Sequence, residues 1–316
     1  MFFLFFIFLS TNSVIAISFE KITVLTLPLG KDGWFHEGVM DSLKKGLILN
    51  KVPFNCNPKS IEELGDIVLV TASVEALQQA ISWKEQKKIK YVLAGPNVLA
   101  NAHSGNDIIA HPGLDCYLHP SAWVVRSYEE DIPAIKHKNK IWFAGVDESF
   151  WAPSEDSKNK KTVLIYWKDQ QKGFIDSIKN VVEKKGWNTI VIKYGSYTKA
   201  EYKKALDTTS VAIFISKSES QGIALAESWA MDVPTFVWNP QEPFTWCGKT
   251  YKDISSCPYL TDFTGKEWKT LDQLDILLSA FDPLEFSPRE WVLENMTDKV
   301  SVDLLIKIIE SLKVIC

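Results

Sequence analysis

Residues 216–238 read S-K-S-E-S-Q-G-I-A-L-A-E-S-W-A-M-D-V-P-T-F-V-W and continue the apolar, β-branched run VAIFIS at 211–216. A run of that composition, a polar turn, a stretch of small and apolar residues, and then Pro234 opening a second β-branched run give the order strand, loop, helix, strand. Glu219 stands in the turn and Glu227 inside the helix. With the helix starting near Gly222, Glu227 sits about 7–8 Å along its axis from the N-terminal end. That end offers free N–H groups and a positive dipole to an anion, and Gly222 has no Cβ to obstruct a phosphate approaching the backbone. Two carboxylates so spaced address two places on one ligand, Glu219 near the phosphate and Glu227 at hydroxyls further along.

Working outward, the same alternation repeats in two series. ITVLTL (22–27), DIVLVTA (66–72) and KYVLAG (90–95) read as strands, with amphipathic stretches at 34–49 and 74–87 between them. TVLIYW (162–167), NTIVIKYG (188–195), VAIFIS and PTFVW (234–238) form the second series, with helical stretches at 171–186, 198–208 and 222–231. Strands alternating with helices predict βαβ units on parallel sheets, and therefore an α/β protein of two Rossmann-like lobes. SEDSKNKK at 154–161 is polar, without apolar periodicity, and reads as the linker. The expected organisation is an N-terminal segment 1–18, a first lobe 19–153, a second lobe 154–287 and C-terminal helices 288–316. In such sheets ligands bind where strands feed helix N-termini. Three of these loops are unusual: LPLGKDGWFHEG (27–38), KDQQKG (168–173) and SKSESQG (216–222).

The spacing E-x7-E with Gly at its fourth position and Pro seven residues after the second Glu resembles the retaining glycosyltransferases of the GT-B architecture. The resemblance implies that Glu219 contacts the sugar of a nucleotide-sugar donor, that Gly222 gives its backbone to the diphosphate, and that Glu227 binds the ribose. Ser220 and Gln221 fall in the same donor-binding loop. Pro234 matches, whereas the glycine usual in the family two residues before it is Asp232 here. WFAGVDESFWAP at 142–153 resembles the G-V-D-x-x-x-F-x-P stretch that ends the family's first lobe, LHPSAWV at 118–124 its P-S-x-W segment, and AGPN at 94–97 a turn in some members. The family places an Arg and a Lys on the diphosphate after the first strand of the second lobe. Lys168 and Lys172 occupy that loop, and Lys172-Gly173 matches the Lys-Gly pair. Lys168 in place of Arg lacks the bidentate fork. Gly30 and Gly33 lie where the family has a glycine loop under the donor phosphates. The implied activity is metal-independent sugar transfer, with retention, to a glycan, lipid or protein acceptor that the residues leave open.

Other readings fit less well. S-x-S-x-G at 218–222 resembles a hydrolase nucleophile elbow with Ser220 as nucleophile, but His36, His103, His111, His119 and His137 all precede it, against the chain order of that triad. Gly248-Lys249-Thr250 ends like a phosphate loop, yet Pro243 stands where its first glycine belongs. There is no D-x-D triplet and no histidine pair at metal-ligand spacing, so neither a metal nor another cofactor is expected. His119 is read as a strand-end residue, either hydrogen-bonded in the structure or facing the cleft. A two-lobed periplasmic solute-binding protein and a nucleotide-sugar 2-epimerase on the same fold remain the alternative functions.

The chain has 316 residues, 46% hydrophobic and 23% charged, enough for two cores. Its net charge of −4 and the lack of a basic run interleaved with aromatics argue against nucleic acid as a partner. The first eighteen residues, MFFLFFIFLSTNSVIAIS, are uncharged, with an apolar run from Phe2 to Leu9 and small residues near Ala16. They resemble a secretory signal without its positive start, or a membrane anchor. Nucleotide-sugars are cytoplasmic, so the segment implies a tethered enzyme facing the cytoplasm, a mis-assigned start, or export with loss of activity. Five cysteines show no C-x-x-C; buried thiols are expected, with Cys247–Cys257 the alternative pairing if exported.

Overall fold

Continuous apolar runs such as ITVL, IVLV and VAIFI become strands buried on both faces, and the amphipathic stretches become the helices that cover them. A computed structural model of the chain describes residues 20–27, 34–154, 161–168, 170–246 and 248–314. The N-terminal segment 1–18, Gly30, Gly33, Cys247 and most of the 154–161 linker lie outside these residues. The first lobe runs β1 (Ile22–Leu25), α1 (Trp34–Leu49), β2 (Phe54–Cys56), β3 (Ile67–Val70), α2 (Val74–Glu85), β4 (Tyr91–Ala94), the single turn α3 (Ser104–Asp107), β5 (Cys116–His119), α4 (Ala122–Asp131) and β6 (Asn139–Ile141). The second runs β7 (Thr162–Trp167), α5 (Lys172–Lys184), β8 (Asn188–Lys193), α6 (Lys199–Leu206), β9 (Val211–Ile215), α7 (Ile223–Ala230), β10 (Thr235–Trp238), the hairpin β11 (Phe244–Trp246) and β12 (Lys249–Tyr251), β13 (Gly265–Trp268) and α8 (Leu271–Ser279). Helices α9 (Pro288–Asn295) and α10 (Asp298–Lys313) close the chain.

The first sheet has the order β2-β1-β3-β4-β5-β6 and the second β13-β10-β9-β7-β8, with every neighbouring pair parallel. Side-chain alternation assigns each face its helices. In the second lobe Val163, Ile165, Ile213 and Ile215 pack on Ile175, Ile178 and Val182 of α5 and Leu274 and Leu278 of α8. Leu164, Tyr166, Ala212 and Phe214 face Tyr202 and Leu206 of α6 and Leu225 and Trp229 of α7. Helices α5 and α7 thus leave adjacent strands on opposite faces, which makes the β7/β9 boundary the switch point where a doubly wound sheet opens a crevice.

Helix α10 does not stay with the second lobe. Val302, Leu305, Ile308 and Ile309 complete the core formed by Met40, Leu43 and Leu47 of α1 over the first sheet. The segment 142–153 is bound to it: Trp142 Nε1 donates to Ser301 O at 3.1 Å, Ser301 Oγ to Phe143 O at 2.5 Å, and Val146 N to Met296 O at 2.9 Å. A Cβ on Gly145 would lie 2.5 Å from Asp298 N, so this approach requires glycine. Arg289 of α9 then ties both crossings to α7, donating from Nη1 to Trp151 O at 2.8 Å and to Ala230 O, and from Nη2 to Glu148 O at 3.2 Å.

Three first-lobe strands read from sequence become six, because β2 (FNC) and β6 (NKI) are three residues long with no apolar run and β5 (CYLH) contains no β-branched residue. The second lobe adds β13, the hairpin and α8. Asp232 adopts φ 59°, the left-handed turn after α7 that the family's glycine would occupy; Asp tolerates it. The turn is closed by Val233 N donating to Ser228 O at 3.0 Å and fastened by Arg289 N donating to Asp232 Oδ1 at 3.3 Å.

Candidate active site between the lobes

Lys168 is the first residue after β7, with its N–H on Ile215 O of β9 at 2.9 Å, so its side chain starts at the switch point. The loop after β9 is braced from below. Ser256 Oγ donates to Ser216 O at 2.8 Å, and Glu219 N donates to Ser255 O at 2.9 Å. This brings Glu219 Oε1 to 3.4 Å from Lys168 Nζ, with side chains 20% and 25% exposed. Lys168 Nζ also lies 4.8 Å from the centre of the Tyr194 ring, a cation-π contact that steadies the ammonium group.

Gly222 follows at φ 84°, a left-handed residue that turns the loop into α7. Its carbonyl accepts the first helical bonds, from Leu225 N at 3.1 Å and Ala226 N at 3.2 Å. The positive end of α7 therefore opens onto the loop that holds Glu219. Beneath the loop, Tyr166 and Tyr197 share a hydroxyl contact at 3.0 Å. Burial pushes both phenols up, and the carboxylates of Glu219 and, for Tyr197, Glu227 add to it. Neither phenol ionises near neutral pH.

Glu227 lies on the other side, lining a cavity of about 210 Å³ between the lobes together with Asp41, Ser42 and Lys45 of α1, Phe150 and Trp151 of the crossing segment, and Lys199 of α6. Burial pushes its carboxyl up to about 8, with Lys199 pulling the other way. In the same cavity Asp147 and Asp298 flank Lys45. Burial alone would raise Asp147, but hydrogen bonds from Lys45, Ser149 and the Phe150 N–H bring it down to about 2, while burial raises Asp298 to about 6. Asp147, Glu148 and Asp298 form the one group of potential metal-ligating carboxylates among the described residues.

Several expected site residues are placed differently. Gln221 is buried, and its amide is spent on the first lobe: Oε1 accepts from Ala144 N at 2.9 Å and Nε2 donates to Ala144 O at 2.7 Å. It anchors the loop to the crossing segment instead of presenting its side chain to a ligand. Lys172, in the first turn of α5, is 82% exposed and pairs with Asp176 at 2.9 Å. Ser220 is half-buried in the loop. His119 is 1% exposed, hydrogen-bonded to Asn139 Oδ1 at 3.0 Å and packed against Tyr117 and Tyr128, and burial lowers it to about 4. It is a neutral core residue and not a cleft residue. Trp123, Tyr197 and Lys199 are not among the residues expected at the site; of the three only Trp123 lies in a motif, as the last residue of P-S-x-W.

Two parallel sheets of this order, with a final helix returning to the first lobe, can be set beside solved structures. HepE from Anabaena, in complex with UDP and glucose, superposes with a TM-score of 0.57 at 11% identity, over 92% of this chain and 100% of its own. The apo lipopolysaccharide outer core galactosyltransferase WaaB gives 0.56 at 12% identity, over 92% and 99%. Sucrose-phosphate synthase from Thermosynechococcus elongatus gives 0.58 at 10%, over 94% and 100%. The fold is GT-B. The likeness spans nearly the whole of each of these chains and more than nine-tenths of this one. No protein-family model and no curated protein sequence matches the chain. In GT-B terms, the Lys168–Glu219 pair lies at the switch point of the second lobe and the Glu227 cavity lies between the lobes.

Proposed function

We propose that this chain is a glycosyltransferase that moves a sugar from a nucleotide-sugar donor to a glycan, lipid or protein acceptor, with retention and without a divalent ion. The observation that carries the reading is the Lys168–Glu219 pair at the β7/β9 switch point, beside the positive end of α7. A cation and a helix N-terminus at one crevice suit a leaving diphosphate, and a carboxylate next to them suits a sugar carbon that gains positive charge as the diphosphate departs. The fold neighbours support the choice of ligand, since HepE is seen with UDP and UDP-glucose and WaaB is a galactosyltransferase.

In this reading Lys168 and the first N–H groups of α7 hold the diphosphate, with Gly222 allowing the close approach and Ser220 lining the loop. Lys172 joins them by leaving Asp176. An exposed i,i+4 pair is worth only about 0.3–0.5 kcal/mol, so a diphosphate readily replaces it. Glu219 stabilises the reacting centre and Glu227 receives the nucleoside hydroxyls. Metal independence rests on the cationic groups serving where a divalent ion would otherwise neutralise the diphosphate, and on Asp147, Glu148 and Asp298 lying in the crossing segment and α10 with Lys45 beside them. The test is release of nucleoside diphosphate from a panel of nucleotide-sugars: turnover with at least one donor is expected, and its abolition in Glu219→Ala. A chain inert toward every donor contradicts the proposal.

A further inference from the structure

The hairpin β11–β12 leaves the second lobe and docks on α4 of the first. Trp123 and Val124 of α4 pack with Phe244, Tyr251 and Ile254, and Trp123 meets Tyr251 edge-on at 6.1 Å. Polar contacts run along the same seam: Arg126 Nε to Asp253 Oδ2 at 2.6 Å, Lys249 Nζ to Asp131 Oδ2 at 2.6 Å and to Ser127 O, and Tyr259 Oη donating to Pro120 O at 2.6 Å. At its inner end, Trp123 Nε1 donates to Glu219 O at 2.9 Å. The Glu219 backbone is thus gripped from both sides, its N–H by Ser255 O and its carbonyl by Trp123. Ser255 follows Ile254, which packs on Trp123, so the two grips belong to one assembly.

We infer that Trp123 is a positioning residue for Glu219: seating of the β11–β12 hairpin on α4 sets the backbone from which the Glu219 carboxylate reaches its place beside Lys168. This rests on the proposed role of Glu219 and adds a residue from the opposite lobe. Neither grip touches the cavity lined by Glu227, so the nucleoside contact proposed for Glu227 is held by a different set of residues. A tryptophan that served only as an aromatic contact would tolerate a ring without a donor. One that orients Glu219 needs its N–H.

Trp123→Phe keeps an aromatic ring against Tyr251 and removes the donor. It is expected to lower kcat by on the order of 10-fold, the usual weight of one net hydrogen bond, while the donor KM stays within about twofold. Lys249→Met, which keeps the aliphatic stem but releases Asp131 and Ser127, serves as the second variant. It is expected to lower kcat in the same sense, and the double variant to lose less than the product of the two, because both act through one seam. Wild-type kcat in both single variants overturns the inference while leaving the transferase reading in place. Multiplicative effects, or a rise in KM with kcat unchanged, also overturn it. A wild-type chain without transfer from any nucleotide-sugar overturns the underlying reading and this inference with it.

Discussion

Lys168 Nζ stands 3.4 Å from Glu219 Oε1, two residues from different strand-to-helix loops that meet only because β7 and β9 are neighbours in the second sheet. Their 51-residue separation in sequence is closed by the parallel register Val163↔Val211 to Trp167↔Ile215, which brings both strand ends to one edge. The two charges neutralise each other, and in the proposed reading a diphosphate at α7 would draw the lysine away from the carboxylate.

The proposed roles of the two lysines can be tested by substitution. Lys168→Ala and Lys172→Ala are each expected to slow transfer by on the order of 10²-fold, the usual effect of removing one preorganised donor. Asp176→Asn, which frees Lys172, should leave transfer intact. Steady-state kinetics of the three variants decide the matter: an unaffected Lys172→Ala enzyme returns that lysine to the exposed helix pair with Asp176.

The raised Glu227 carboxyl gives a pH signature in stability. Its folded value of about 8 exceeds the ordinary 4.5, so the folded chain holds a proton that the unfolded chain releases across that window. The stability that goes with the proton is complete below about 4.5, declines as pH rises, and is gone once pH passes about 8. Glu227→Gln cannot lose it. Melting temperatures measured from pH 4.5 to 9 should show wild type falling steadily relative to Glu227→Gln and then running parallel. Parallel curves throughout would mean that the carboxyl titrates normally.

The glutamates should also separate kinetically. Glu227→Ala is expected to raise the donor KM chiefly, since nucleoside contacts serve ground state and transition state alike, and Glu219→Ala to lower kcat chiefly. Circular dichroism and an unchanged melting temperature establish that both variants are folded. Equal changes in both parameters for both variants would contradict the division of roles.

Much of this site could be read from residues alone, for local reasons. TVLIYW and the helix at 34–49 have the bounds read from their periodicity, and the glutamate spacing with Gly222 needs only a strand, a turn and a helix. What was hidden depends on tertiary neighbours. Gln221 looks like a ligand-binding amide until Ala144 is seen to occupy both its ends. Lys172 looks equivalent to Lys168, yet one follows the strand end directly while the other begins a helix and points along its exposed face. GKEW of β13 is half polar and reads as a strand only beside β10. Trp123 and Glu219 are 96 residues apart, and no periodicity in either segment announces their bond.

Activity in excess EDTA tests the proposal of metal-free transfer. Transfer should persist, because the lysines and the α7 terminus supply the positive charge. Complete loss restored by a divalent ion would contradict it and would turn attention to Asp147, Glu148 and Asp298.

The central claim, that the crevice between the lobes is built for a nucleotide-sugar, is tested most directly by melting the wild-type chain against nucleoside diphosphates, nucleotide-sugars and free sugars. At 100 times its Kd, a ligand of the folded state adds about 2.7 kcal/mol, a shift that is readily measured. The account predicts stabilisation by at least one nucleoside diphosphate and its sugar conjugate, weakened in Lys168→Ala. Indifference to every nucleotide, with tight binding of a free sugar and no effect of substituting Glu219 or Glu227, would contradict it and point to a solute-binding protein.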